Sequence, residues 1–438
     1  MSPPRIPIST GIAALSRSLP GDGTDWRRRA ATLTGAVAVG LAAMGFAWGA
    51  DIADEAFRSA TTANSWLHLI ATPLAFAGIV WLTRRFAPEA RGSGIPQVIA
   101  ASRKPRSYSA RKMVALKTAF FKAVLTIGAL LGGGSVGREG PTVQLGAAIM
   151  LRIHRWLRVP ASPGIYIAGG AAGVAAAFNT PLAGIAFAIE ELAVAYEQRV
   201  AVLVMGAVMI AGLTSQGLAG EYVYFGRIGG GLPFHIVLIA APLAGVVGGL
   251  LGGGFSRLLL ALRGPGGRWT GILARRPVLT ALVCGLVVAI LGFLSAGDTS
   301  GTGYEPTRAL LEGESGELWF GPAKFIATLA TSASGIPGGI FAPSLAVGAG
   351  IGHLLTPLFP MQYAGLIVLV GMGGYFTGVV RAPLTAVIIL SEATGNSSAI
   401  LPLFAACLLG DWAGSLVCRE RLYHALSRGF DKPEAPNA

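Results

Sequence analysis

Long apolar segments alternate along this chain with short clusters of basic residues. Residues 30–50 and 66–83 are the first two such segments, and each is long enough for a helix that crosses a bilayer, which takes about 20 residues. The basic clusters lie at residues 27–29, 84–85, 103–117, 152–158, 263–276 and 419–432. The positive-inside rule assigns these clusters to the cytoplasm and the acidic stretches between them to the outside. Because both ends are basic, the pattern predicts an even number of crossings with both termini in the cytoplasm.

Glycine and proline interrupt the apolar pattern in several places. Lys117 and Arg152 belong to clusters assigned to the cytoplasm, so the chain between them must cross the membrane and return. Glycines from 132 to 140 interrupt this stretch. The returning piece, about 141–151, is then too short to span alone. Further breaks fall near residues 179–181, 335–339 and 381–383. Broken helices are tolerated at membrane depth only where they are buried or line an aqueous cavity. Helix starts that converge there would form an anion site, because their N–H groups are unpaired.

An internal repeat with an offset of 202 residues divides the chain into two halves. The spacing Gly-x-x-x-Pro-(Thr/Ser)-x-x-x-Gly-Ala-x-Ile occurs at 137–149 and again at 339–351. Pro-Leu followed by a glutamate occurs at 181–190 and, with the same offset, at 383–392. We therefore predict two membrane repeats of opposite orientation, whose equivalent helix starts point at each other. The first repeat is predicted at 30–217 and the second at 218–416. The flanking cytoplasmic segments are 1–29 and 417–438.

Composition supports a membrane protein and removes other classes. Charged residues make up 13% of the chain, against about 25% in typical soluble domains, and the mean hydropathy is +0.62. The net charge of +13 first suggests a nucleic-acid partner. Because the basic residues follow a membrane-topology pattern instead, no nucleic-acid partner is expected. Residues 1–29 show no signal peptide.

Motifs for enzymatic chemistry are missing from the sequence. The three cysteines and five histidines show no metal-ligand spacing, and no Walker-type loop supports an ATP-driven pump. Neither Gly-x-Ser-x-Gly nor His-Glu-x-x-His supports a membrane-embedded hydrolase. We therefore expect no catalytic residues, no metal site and no cofactor.

Two polar residues beside the glycine breaks are candidates for function. Ser93, between Gly92 and Gly94, is either a helix N-cap or a hydroxyl donor to an anion. Glu139 is a carboxylate at membrane depth, where such groups are costly and usually functional. Arg138 is a poor partner for it, since adjacent residues on a helix do not face each other. An ionised Glu139 could occupy an anion site and leave it on protonation.

Several motifs together resemble the signature stretches of the CLC family, which comprises chloride channels and chloride/proton antiporters. They are Gly-Ser-Gly-Ile-Pro at 92–96, Gly-Arg-Glu-Gly-Pro at 137–141, Gly-Ile-Pro-Gly-Gly-Ile-Phe-Ala-Pro at 335–343, Ala-Ala-Phe-Asn-Thr-Pro-Leu-Ala-Gly at 176–184, and a late Tyr423. The resemblance covers about residues 30–425. It implies an all-α polytopic membrane protein with two inverted-topology repeats of tilted, broken helices.

The resemblance also implies a role for individual residues. Chloride would be bound by Ser93, by the backbone N–H groups of Ile340 and Phe341, and by Tyr423, whose alternative role is an interfacial aromatic anchor. A serine at position 93 fits chloride better than nitrate or fluoride. Lys122 is either a snorkelling lysine or a positive charge along the anion path.

Three glutamates complete the implied set. Glu139 would be the gating glutamate and the external proton-transfer group. Glu191 would be the internal proton-transfer group of an antiporter, although it also fits a plain marker of the membrane edge. Glu190 aligns with Glu392 in the repeat, which suggests a structural role for that pair.

The sequence thus favours chloride/proton exchange across the inner (plasma) membrane. The resemblance implies a homodimer with one pathway per subunit, and the end of the chain at Ala438 suggests no C-terminal regulatory domain. The alternatives are a passive, voltage- or pH-gated chloride channel of the same fold, a fluoride/proton exchanger and, as a more remote alternative, a membrane-embedded enzyme.

Overall fold

The computed structural model describes residues 23–192, 198–220 and 223–431, and this part of the chain is helical without a β-strand. The helices of the first half are α1 (Gly23–Ala63), α2 (Leu67–Phe86), α3 (Ile95–Arg103), α4 (Tyr108–Met113), α5 (Leu116–Leu131), α6 (Glu139–Trp156), α7 (Pro163–Phe178), α8 (Pro181–Phe187) and α9 (Gln198–Ala219). A π-helical turn, Ala188–Leu192, continues α8.

The second half repeats this succession of long and short helices. Its helices are α10 (Phe234–Arg263), α11 (Thr270–Arg275), α12 (Pro277–Leu294), α13 (Tyr304–Leu311), α14 (Phe320–Ser334), α15 (Phe341–Leu355), α16 (Ala364–Val380), α17 (Pro383–Thr394), α18 (Ile400–Val417) and α19 (Leu422–Ser427). Short 3₁₀ turns occupy Pro88–Ala90, Thr356–Leu358, Met361–Tyr363 and Arg428–Phe430.

Eight helices of the described ranges are long and apolar enough to cross a membrane by length and composition. Their outer faces carry large exposed apolar side chains such as Leu74, Leu238 and Leu401. A water-soluble protein rarely exposes apolar patches of this extent, whereas a bilayer accommodates them. The chain is therefore a multi-pass membrane protein.

The helices break where glycine and proline predicted, and the breaks are equivalent in the two halves. Asn179 separates α7 from α8, and Arg381, 202 residues later, separates α16 from α17. Both have left-handed backbone conformations, with φ of 58° and 64°, and a proline starts each following helix two residues on. The prediction of a short returning helix at 141–151 is wrong in length, because α6 has 18 residues. Its start at Glu139 is nevertheless buried.

Small residues bring the central helices close together. Gly146 of α6 and Gly169 of α7 face each other so closely that a side chain on either would collide with the opposing backbone. Gly348 of α15 and Gly371 of α16 repeat this contact at the 202-residue offset. Such small-residue contacts are the usual way for helices to pack in membranes. The result is a dense core in which α6 and α15 begin.

The two halves join at those helix starts. Gly137 and Gly339 exchange both backbone hydrogen bonds, each 2.7 Å long, in an antiparallel bridge. The residues of this bridge are themselves 202 apart, so the same element of each half meets its counterpart head to head. The structure thus confirms an all-α fold with two inverted repeats.

Candidate functional site

The Glu139 carboxylate lies against the first turn of α15. The side chain is fully buried, and its Oε2 accepts a 3.4 Å hydrogen bond from the N–H of Ala342. Its Oε1 has no hydrogen-bond partner in the described chain. The carboxylate of one repeat therefore interacts with the helix start of the other repeat, which is where a free anion would bind.

Arg138 makes its hydrogen bonds to groups other than its neighbour Glu139. Its guanidinium donates to the Asp51 carboxylate and to the backbone oxygen of Ala47, 3.1 Å away. It also lies over the ring of Tyr224, 5.7 Å from the ring centroid. Arg138 thereby lines an open cleft of about 330 Å³ whose other walls carry Asp51, Asp54 and Tyr224. This cleft reaches the residue next to Glu139.

Ser93 is not the N-cap that one sequence interpretation proposed. Gly94, with φ of 109°, occupies the N-cap position of α3, and no side chain caps that helix. The Ser93 hydroxyl is buried without a hydrogen-bond partner in the described chain. It lies over the start of α6, because a Cβ on Gly140 would come within 2.5 Å of Ser93 Oγ. Ser93 and Glu139 are therefore neighbours in space.

Tyr423 is fully buried, so the interpretation of this residue as an interfacial anchor is wrong. Its ring contacts that of Phe341, with 5.9 Å between the centroids. Its hydroxyl lies near Ser93 and within electrostatic range of both Glu139 and Glu191. Like the Ser93 hydroxyl, it has no hydrogen-bond partner within the described ranges. The two buried hydroxyls thus lie near each other, and an unsatisfied buried hydroxyl is costly unless a ligand pairs with it.

Ile340 and Phe341 form the start of α15. Ile340 is the N-cap residue, and its own side chain makes no capping hydrogen bond. The Phe341 ring is held edge-on by Phe187 and Phe376, at centroid distances of 5.6 and 5.0 Å. Their side chains provide packing, so the groups available to an anion are the backbone N–H groups of the first turn.

Lys122 is fully buried and does not snorkel to the membrane surface. Its Nζ donates to the backbone oxygens of Gly92, at 2.5 Å, and Arg91, at 3.4 Å. The peptide on which it acts is the one that precedes Ser93. Sequence reasoning missed its counterpart Lys324, which binds the backbone oxygens of residues 299–301 at 2.9–3.0 Å. The 202-residue offset from Lys122 was the signal that identifies it.

Glu190 and Glu392 hold the halves together by capping each other's helices. Glu190 accepts from the N–H groups of Leu384 and Thr385, at 2.9 and 2.7 Å, and from the Thr385 hydroxyl at 2.7 Å. Glu392 accepts from the N–H groups of Leu182 and Ala183, at 3.3 and 3.0 Å. The equivalent starts of α17 and α8 are thus each closed by a carboxylate of the other half, which is a structural role.

We expect Glu190→Ala and Glu392→Ala each to lower the melting temperature of the purified protein. A hydrogen bond to a charged group contributes about 1.5–3 kcal/mol. The loss should be larger for Glu190, which accepts three such bonds, than for Glu392, which accepts two. Glu312→Ala removes only an exposed i,i+4 pair with Arg308 and serves as the control. Equal melting temperatures for all three variants would contradict the capping role.

Glu191 differs from its neighbour Glu190. Its side chain is fully buried, and neither carboxylate oxygen has a hydrogen-bond partner in the described chain. It lies on the π-helical turn that follows α8, beside α19. No group of three or more potential metal ligands occurs in the described ranges. Glu191 is therefore a buried carboxylate without a hydrogen bond in the described chain, and it lies, like Glu139, within electrostatic range of the Tyr423 hydroxyl.

Comparison with known proteins identifies the family. Residues 74–415 match the family described as voltage gated chloride channel. The chain is 32% identical to the H(+)/Cl(-) exchange transporters ClcA of Salmonella agona and Salmonella gallinarum, and the match covers 88% of this chain and 83% of each relative. These relatives are transporters, as their names state.

Solved structures show the same fold. A slow cyanobacterial Cl⁻/H⁺ antiporter superposes with a TM-score of 0.79 at 24% identity, covering 93% of this chain and 98% of the antiporter. A CLC-type fluoride/proton antiporter gives 0.75 at 22% identity, with 91% and 96% covered. The sequence match over most of the chain and the shared architecture agree with the motifs. The chain belongs to the voltage-gated chloride channel, or CLC, family.

Proposed function

We propose that this protein exchanges chloride for protons across the cell membrane. The observation that carries the proposal is the Glu139 carboxylate, which accepts a hydrogen bond from the first turn of α15, in the place of an anion. The relatives at 32% identity are named as H(+)/Cl(-) exchange transporters, which supports the same ions here.

Chloride binds where four groups converge. The hydroxyls of Ser93 and Tyr423 are buried and unpaired in the described chain, and they supply two donors. The backbone N–H groups of Ile340 and Phe341 supply the partial positive charge of a helix start. Lys122 fixes the peptide before Ser93 and adds a positive charge behind it. A dehydrated halide is stabilised there without a cation in direct contact.

Glu139 couples the two ions because it competes with chloride for one place. Ionised, the carboxylate accepts from the start of α15 and excludes an anion from it. Protonated, it carries no charge, loses its attraction to the helix start and leaves the place to chloride. The cleft lined by Arg138 gives the external proton a route to it.

Glu191 takes the proton on the inner side. It is fully buried and no described group donates a hydrogen bond to its oxygens, so no structural contact holds it in the ionised form. A passive channel does not need such a carboxylate, and its presence therefore favours exchange.

The protein resides in the inner membrane with both termini in the cytoplasm, with repeats at 30–217 and 218–416. The placement of the basic clusters supports this orientation. It forms a homodimer with one pathway in each subunit, as its family membership suggests.

Ion fluxes from purified protein in lipid vesicles test the proposal. Chloride-loaded vesicles are placed in low-chloride buffer of the same pH as their interior. We expect chloride efflux to drive protons inward although no pH gradient is present at the start. A chloride electrode and an external pH electrode record both fluxes, and protein-free vesicles are the control. Chloride efflux without opposing proton movement would identify a passive channel. Faster efflux of fluoride than of chloride would identify a fluoride exchanger.

A further inference from the structure

Glu191 needs a route for protons to the cytoplasm. Its side chain has no exposed surface, and its oxygens have no bonded partner in the described chain. Glu190 next to it cannot serve, because its carboxylate is held by three hydrogen bonds at the start of α17. Provided that Glu191 carries protons as in the proposed function, another group must connect it to water.

His424 lies between Glu191 and the solvent. Its Nε2 is 3.1 Å from the backbone oxygen of Glu191 and 3.8 Å from the carboxylate Oε1. The His424 side chain is 27% exposed, whereas that of Glu191 is 0% exposed. One imidazole therefore reaches both the buried carboxylate and the protein surface. A hydrogen bond to Oε1 would require a shift of only about 0.6–1 Å.

The contacts of the ring fix which nitrogen carries its proton. Nδ1 lies 3.2 Å from a terminal nitrogen of Arg103. A guanidinium only donates hydrogen bonds, so Nδ1 accepts. The neutral ring must then carry its hydrogen on Nε2, the nitrogen that faces Glu191.

Burial and the charged groups around the ring favour its neutral form. Partial burial, Arg103 and then Arg421 lower the pKa of His424, while its hydrogen bond to the Glu191 backbone acts in the opposite direction. Arg421 donates to the backbone oxygen of Glu190. Arg103 also pairs with Asp431 at 3.5 Å, so this carboxylate can draw Arg103 away from Nδ1. The Glu191 carboxylate is the acidic group on the other side of the ring.

We propose that His424 transfers protons between the cytoplasm and Glu191. When Arg103 moves onto Asp431, Nδ1 forms a bond to a proton from cytoplasmic water. The Nε2–H bond then breaks, and that proton forms an O–H bond on Oε1 of Glu191. The ring is left neutral with its proton on Nδ1. It regains its first form when Nδ1 gives that proton to water and Nε2, as the ring turns toward its exposed edge, takes one from water. Every step reverses when protons enter the cytoplasm.

The substitution His424→Gln separates proton transfer from a structural role. The glutamine amide can replace Nε2–H as a donor to the Glu191 backbone oxygen, but it cannot relay a proton. We expect proton flux to fall about tenfold, equal to about 1.4 kcal/mol in the barrier, and chloride flux to fall much less. Imidazole added to the cytoplasmic side should restore part of the proton flux. Should His424→Gln prove unstable, His424→Asn is measured in the same way.

His353→Gln is the matched control. His353 Nε2 also contacts a backbone oxygen, that of Gly316 at 3.0 Å, but it faces no buried carboxylate. We expect that variant to keep the wild-type ratio of proton to chloride flux. An unchanged ratio in a folded His424→Gln protein, beside a coupled wild type, would overturn the relay. A wild type that moves no protons would instead overturn the proposed exchange function.

Discussion

Glu139→Gln abolishes proton movement while chloride still crosses the membrane. Glutamine has the size of glutamate but no charge at any pH, so it resembles the protonated state permanently. Without charge, the side chain no longer competes for the start of α15. It also cannot bind and release a proton. We expect proton flux to fall below one-tenth of wild type, a barrier increase of more than about 1.4 kcal/mol, with chloride flux retained.

The same vesicle assay with two electrodes measures this result. Glu312→Gln is a suitable control, because that carboxylate is half-exposed and pairs only with Arg308 on the surface. Chloride flux in Glu139→Gln should also lose its dependence on external pH. Continued proton movement in Glu139→Gln, at a normal ratio to chloride, would show that another group carries the proton and would refute the gating role.

Gly140→Ala removes most chloride transport, although it adds only one methyl group. A Cβ at position 140 would lie 2.5 Å from Ser93 Oγ, 2.8 Å from Ser93 O and 3.2 Å from the Cα of Gly339. Real Cβ atoms do not approach other atoms so closely, so the Ser93 loop or the bridge between the repeats must shift. Because both belong to the anion site, we expect chloride flux to fall about tenfold or more, about 1.4 kcal/mol.

Gly45→Ala is the matched control for this substitution. A Cβ on Gly45 of α1 meets nothing within 4 Å, and alanine is favoured over glycine inside a helix by about 1 kcal/mol. That variant should transport chloride normally and be no less stable than wild type. Chloride binding to purified Gly140→Ala, followed by calorimetry, checks whether the lost flux reflects a lost site. Wild-type binding by Gly140→Ala would contradict the close approach of Ser93 to α6.

The breaks in the helices and the meeting of the two halves could be predicted from the sequence. The 202-residue offset aligns glycines and prolines, whose effect on the backbone is local and strong. The offset predicted that equivalent helix starts meet and that Glu190 and Glu392 have a structural role; the structure adds the bridge between Gly137 and Gly339 and the paired caps. The prediction needed only the repeat and the known behaviour of helix ends.

Side-chain environments set by distant segments could not be predicted. Ser93 looked like a helix cap, but glycine in a left-handed conformation takes that position. Lys122 looked able to reach the membrane surface, but the loop at Gly92 binds it inside the protein. His424 lies 233 residues from Glu191 in the chain, and no local pattern links them. Such contacts depend on tertiary packing, which spacing along one sequence does not encode.

The exchanged caps of Glu190 and Glu392 also constrain how the protein is made. The start of α8 is closed only by a residue synthesised about 200 positions later, a delay of about 10–40 s at 5–20 residues per second. During that time the nascent first repeat lies in the bilayer with the start of α8 uncapped and with an incomplete anion site. The insertion machinery or lipid must therefore protect the first repeat until the second repeat has been synthesised.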